Sequence, residues 1–182
     1  MTRHGSWLMA IVLAGGAALA APTGEIRVTT VVSDGRVLAS FTVPSAWSTE
    51  TRQLLRSGLL LTFSYDVELR RPSSVWLDST LARVRIGSAV KYDNLTGTYQ
   101  LSRTRDGRVV QSEPSKEEPQ VRGWMTTFDR VPIEVPGGLE PNVEYYVRVR
   151  LFCSPRRTIS LWSMWPFGHD DGSGRADFTF IR

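Results

Sequence analysis

Residues 59–70 read LLLTFSYDVELR. Every odd position is apolar or aromatic (Leu59, Leu61, Phe63, Tyr65, Val67, Leu69), while the even positions pass to Asp66, Glu68 and Arg70. A period of two belongs to a strand with one side toward a core and the other toward water. The same alternation recurs after Arg71-Pro72-Ser73-Ser74, with Trp76, Ala82, Val84, Ile86 and Val90 set against Arg83, Arg85 and Lys91. Asp93-Asn94 and Asp106-Gly107 then offer turns into Leu95–Leu101 and Val109-Val110, so this part of the chain predicts an antiparallel meander.

Upstream, Ile26–Val32 and Val37–Val43 alternate around Asp34-Gly35, which predicts a hairpin. Residues 45–57 predict a short helix, with a serine near its start and Gly58 just past its end. Gln111 to Gln120 is polar, carries Pro114 and Pro119, and is expected to be a flexible loop. Val121, Trp124, Met125 and Phe128 have the spacing of a helix face that covers a sheet, with a capping box expected over Ser115–Glu118. Val131-Pro132 and Pro136-Gly137-Gly138 read as loop. Tyr145, Val147, Val149, Leu151 and Cys153 alternate against Glu144, Arg148 and Arg150, and Phe178 and Phe180 close the chain as a short strand. The expected fold is mainly β: an antiparallel sheet or sandwich of about eight strands with two short helices.

The N-terminus follows a different logic. Met1 to Ser6 holds Arg3 and no acid, and the apolar run WLMAIVLAGGAALA (residues 7–20) ends in Ala18-Leu19-Ala20. That is the outline of a signal peptide over residues 1–20, followed by a single β-rich domain over 21–182. The run falls short of the about 20 apolar residues that a membrane anchor needs. An exported chain, periplasmic in a Gram-negative bacterium, is the expectation. Cys153 is the only cysteine, so no internal disulfide is available, and its place on an apolar strand side predicts a buried thiol. Composition is that of a globular protein, with 41% hydrophobic residues and a formal charge of +4. Twenty of the 22 basic residues are arginine. A charge this mild, without a concentrated basic stripe among aromatics, argues against a nucleic-acid partner.

Several segments in order carry a resemblance: SGLLLTFSYDVELRR, then WLDSTLARVRIGSAVKYDNLTGTYQLSR, GWMTTFDRVPI, EYYVRVRLF, and the closing SLWSMWPF with FTFIR. Over about residues 26–182 the chain resembles the exported bacterial family known as domain of unknown function 4390. The resemblance implies signal-bearing proteins of proteobacteria and related groups with no assigned activity. It supports an envelope location and brings no catalytic residues.

For catalysis and metals the residue inventory is thin. His169 is the only histidine after the signal, so no zinc set exists by spacing. Asp170, Asp171, Ser173 and Asp177 offer oxygen ligands of the kind calcium accepts, but without EF-hand spacing, and a Gly-rich turn has the same composition. No G-x-S-x-G elbow accompanies His169. Asp66 and Glu68 share a strand side with Arg70, where ion pairing accounts for them more simply than catalysis does. No cofactor is expected.

Two groups remain as candidate binding residues. Arg83 and Arg85 lie on one polar strand side and Arg148 and Arg150 on another; were those strands neighbours, four guanidiniums would form a stripe suited to carboxylate or phosphate. The competing reading pairs each with Asp66, Glu68 or Glu144. The second group is Trp162, Trp165 and Phe167 in SLWSMWPFGHD (residues 160–170), read as a plug of the core, a partner-facing patch, or a glycan platform. The leading expectation is a non-enzymatic envelope module that docks on an envelope or inner-membrane protein, with peripheral membrane contact as a further option. A carrier or sensor of a lipid or other apolar ligand, lined by Trp124, Met125 and Phe128, is the first alternative. A hydrolase using carboxylates or a Ser/His pair is the second.

Overall fold

A computed structural model describes residues 26–33, 35–75, 77–154 and 172–181. Nine strands and two α-helices are present among them: β1 (Arg27–Ser33), β2 (Arg36–Thr42), α1 (Thr49–Arg56), β3 (Leu61–Arg71), β4 (Ser79–Asp93), β5 (Thr98–Arg105), β6 (Arg108–Ser115), α2 (Glu118–Thr126), β7 (Thr127–Ile133), β8 (Val143–Ser154) and β9 (Gly172–Phe180). They form two antiparallel sheets. The smaller has the order β1-β2-β7 and the larger the order β6-β5-β4-β3-β8-β9.

The quoted stretch becomes the central part of the large sheet. β3 pairs with β4 on one side (Tyr65 opposite Ile86) and with β8 on the other (Tyr65 opposite Leu151). Its odd side chains meet the small sheet: Tyr65 lies 4.5 Å from the Phe128 ring of β7 and 5.7 Å from Phe41 of β2, and Phe41 and Phe128 stack at 4.6 Å. The Tyr65 hydroxyl donates to the Met125 carbonyl at 2.7 Å, which gives this buried polar tip a partner. Val37, Ala39, Val67, Leu69, Met125, Ile133, Val147 and Val149 complete one cluster shared by both sheets and α2.

At the β9 edge the sheets approach closely. A side chain at Gly174 would place its Cβ 2.3 Å from the Ile26 carbonyl oxygen, so only glycine fits there. The opposite side of the large sheet carries exposed Arg83, Arg85, Lys91 and Gln100.

Local signals account for several differences from expectation. The first helical segment divides into a 3-10 turn at Pro44–Ala46 and then α1, where the Ser48 side chain caps the Thr51 amide. Gly58 follows with a φ of +79°, as a left-handed helix terminus requires. β3 begins at Leu61, leaving Leu59 and Leu60 exposed. The segment expected to be a flexible loop, 111–120, is instead strand β6 followed by the first turn of α2, and Val131-Pro132 lies inside β7. Both β6 and β7 are edge strands, where a missing proline N–H breaks no ladder bond, so Pro114 and Pro132 are tolerated.

The expected capping box does not form. Ser115 Oγ instead accepts from the Glu117 amide and donates to Gln120 Oε1, and Glu117, the N-cap of α2, makes no side-chain capping bond. Phe128 is buried as expected, but from β7, because α2 ends at Thr126. The last strand is longer than expected and takes in Ser173 and Asp177. Residues 1–20, expected as a signal peptide, lie outside the described residues.

The arginine face of the large sheet

Arg83 and Arg148 do not stand on neighbouring strands; β3 runs between them. The register draws two rows across the outer side of the sheet. One row reads Arg83, Glu68, Arg148, Arg175 over β4, β3, β8 and β9, and the other reads Arg85, Asp66, Arg150, Ser173. The expected arginine stripe is therefore split by two carboxylates, and it closes around them.

Glu68 is the hub. Its Oε1 accepts from Arg83 Nη2 at 2.5 Å and Arg150 Nη2 at 3.0 Å, and its Oε2 accepts from Arg148 Nη2 at 2.7 Å. Asp66 Oδ1 accepts from Arg85 Nε at 2.8 Å. An alternating strand predicts that Asp66 and Glu68 face water, yet the Glu68 side chain is 1% exposed and that of Asp66 6%. Their partners hide them while staying wetter themselves, with side chains 50% exposed for Arg83 and 61% for Arg85. Burying a carboxylate costs several kcal/mol of lost hydration, which charge-assisted bonds from guanidinium groups offset. Burial pulls the Glu68 carboxyl upward, but the hydrogen bond from Arg148 and the charges of Arg150, Arg83 and Arg148 outweigh it and hold the group below the usual carboxylate range. The bond and charge of Asp66 likewise raise Arg85.

The pairing leaves a remainder. Four guanidiniums meet two carboxylates, so two positive charges are uncompensated within the group. Asp106 offsets part of this surplus: its Oδ1 accepts from the Arg85 amide at 2.9 Å and its charge helps to raise Arg85, while Arg175 holds Asp177 at 2.6 Å. The Nε atoms of Arg148 and Arg150 are buried and have no hydrogen-bond partner among the described residues. Arg150 also lies over the Phe152 ring at 5.6 Å. Glu144, the third acid considered as a partner for these arginines, instead borders a shallow groove of about 330 Å³ with Arg175 and Asp177.

A second network fixes the rim of this face. Asp78, at the end of the β3–β4 connection, accepts from the Tyr146 hydroxyl at 2.5 Å and from the Ser73 amide at 3.1 Å, while Arg70 Nη2 donates to the Asp78 carbonyl at 2.7 Å. The Tyr146 bond, then the Ser73 amide, lower Asp78. Arg175 stacks on the Tyr146 ring at 3.7 Å. Sequence reasoning singled out neither Tyr146 nor Arg175. The signal that could have found them is register: Tyr146 falls opposite Arg70 and Arg175 opposite Arg148.

The remaining candidates separate clearly. Trp162, Trp165, Phe167, His169, Asp170 and Asp171 lie outside the described residues, as does the side chain of Cys153, whose backbone pairs with Phe63. Ser173 and Asp177, considered as calcium ligands, are strand residues, and Asp177 is engaged by Arg175. Among the described residues, no three His, Cys, Asp or Glu side chains are placed to hold a metal ion. Trp124, Met125 and Phe128 are core residues; beside Phe128 a groove of about 150 Å³ is bounded by Arg103, Arg105 and Pro132.

No curated protein and no solved structure matches the chain. A family model does match, over residues 23–157, a range that spans β1 to β8 and both carboxylates with the four arginines around them. The chain belongs to the family described as a domain of unknown function, DUF4390.

Proposed function

We propose that the chain is a non-enzymatic, exported interaction module that docks on an envelope protein through the arginine-bearing outer side of its large sheet. The observation that carries this reading is the convergence of three guanidiniums, Arg83, Arg148 and Arg150, on the single Glu68 carboxylate, on a side that also exposes Lys91 and Gln100. Holding the sheet together needs no more cations than the buried anions require, and exposed ion pairs contribute little stability in any case. Arginine presents a rigid planar fork of donors that suits it to bind carboxylates at an interface. Glu68 and Asp66 preorganise these forks, which lowers the ordering cost of docking. The apolar N-terminal run and the family resemblance support the exported, periplasmic location.

The test places a photoreactive residue at Leu81, an exposed position two residues before Arg83, and compares adducts formed in cells. An adduct with one envelope protein that disappears when Arg85 and Arg150 are changed to Glu supports docking at this side. An adduct indifferent to both changes, or none at all, rejects it.

A further inference from the structure

Resting on that docking reading, we infer that the Glu68 cluster recognises an acidic protein segment that presents two carboxylates, one seated on Arg148 and Arg150 and the other on Arg83. The charge sets the number. Three guanidiniums converge on the single Glu68 carboxylate, so the cluster carries two positive charges beyond its own anion, the complement of two acidic side chains.

The donors set the class. Each of the three arginines binds Glu68 through one Nη atom, and the three side chains remain partly exposed, so a segment outside can reach them, although the Nε atoms of Arg148 and Arg150 are buried and take no part. Planar guanidiniums favour carboxylates through charge-assisted hydrogen bonds. The spacing sets the form. Arg83 on β4 and Arg148 on β8 stand one on each side of β3, about 10 Å apart at the backbone. Alternate side chains of an extended segment lie about 7 Å apart on one side, and flexible glutamate stems make up the difference. Glu68 itself stays in place as the internal anion that orients the forks.

The chain as isolated from cells is titrated with hexaglutamate and with hexaglutamine peptides at low and at physiological salt. Hexaglutamate alone should bind, and more weakly at the higher salt. Arg148→Gln with Arg150→Gln should weaken it by about tenfold or more, because two paired charges are lost from one site. Arg27→Gln with Arg36→Gln removes the same charge from the exposed β1–β2 hairpin and should change the affinity by less than about twofold. Should the double variant at Arg148 and Arg150 fail to fold, Arg83→Gln keeps two partners on Glu68 and should still weaken hexaglutamate by about threefold.

Equal losses in the cluster and hairpin variants would overturn the inference by reducing binding to net charge. Equal binding of hexaglutamine would overturn it as well. Displacement of hexaglutamate by inorganic phosphate at similar concentration would reassign the cluster to a phosphate-bearing ligand. An arginine-dependent adduct at Leu81 without hexaglutamate binding defeats this inference and leaves docking standing; hexaglutamate binding without an adduct does the reverse.

Discussion

The two sides of β3 are buried to nearly the same degree by opposite physics. Tyr65, Val67 and Leu69 are hidden by the small sheet and α2, through apolar contact and one hydroxyl bond. Asp66 and Glu68 are hidden by arginines of the strands alongside. Apolar burial is roughly proportional to area and adds directly to stability. An ion cluster under partly exposed arginines gains little net stability, since desolvation cancels most of the attraction. The inner side therefore holds the fold together, and the outer side holds charges in a fixed arrangement at small net energetic gain, which is what a recognition surface requires.

The largest expected effect breaks the inner side. Tyr65→Ala removes a ring packed on Phe41 and Phe128 together with the bond to Met125, and should cost about 3–5 kcal/mol in chemical denaturation. A loss below about 1 kcal/mol would mean the two sheets do not meet through this trio.

Next comes Glu68→Gln, which leaves three guanidiniums facing one another. It should cost about 2–4 kcal/mol, less than a fully buried pair because the arginines are partly exposed. The same residue gives a pH signature. Its carboxyl is lowered in the folded chain from an ordinary value of 4.5, so its contribution is whole above about pH 4.5 and is lost as pH falls through the lowered folded value. Glu68→Gln should flatten the stability–pH curve in that acid range alone, and an unaltered curve would show that the cluster does not couple to folding.

Gly174→Ala should cost about 1–3 kcal/mol, because its Cβ would press on the backbone of Ile26 where β9 meets the N-terminal strand. Smallest of all is Arg83→Gln. Its side chain is half exposed and Glu68 keeps two partners, so the cost should be about 0.5–1 kcal/mol.

How much of this was legible in the sequence follows from the same contrast. Period-two alternation places Tyr65, Val67 and Leu69 on one side of a strand and Val147, Val149 and Leu151 on one side of another, and the structure puts all six in the core. The same alternation sends every even residue of β3 toward water. It cannot anticipate that Arg83, Arg148 and Arg150 fold over Glu68, because which strands flank β3 is a long-range fact. Arg83, Arg85, Arg148 and Arg150 were recognisable as a group, and the reading that pairs them with Asp66 and Glu68 holds, but the convergence of three of them on Glu68 was not legible. Pro114 and Pro132 read as loop because a local rule does not distinguish an edge strand from a central one. Phe128 continues the helical spacing of Val121, Trp124 and Met125, although the chain has already turned into a strand at Thr127.

The division of labour between the two sides is tested most directly in one variant carried through two readings. Arg83→Gln, combined with the photoreactive residue at Leu81, should unfold within about 1 kcal/mol of the parent while losing most of its adduct with the envelope partner. Full retention of that adduct alongside a loss of several kcal/mol would contradict it, and would make the arginine face a structural element of the fold.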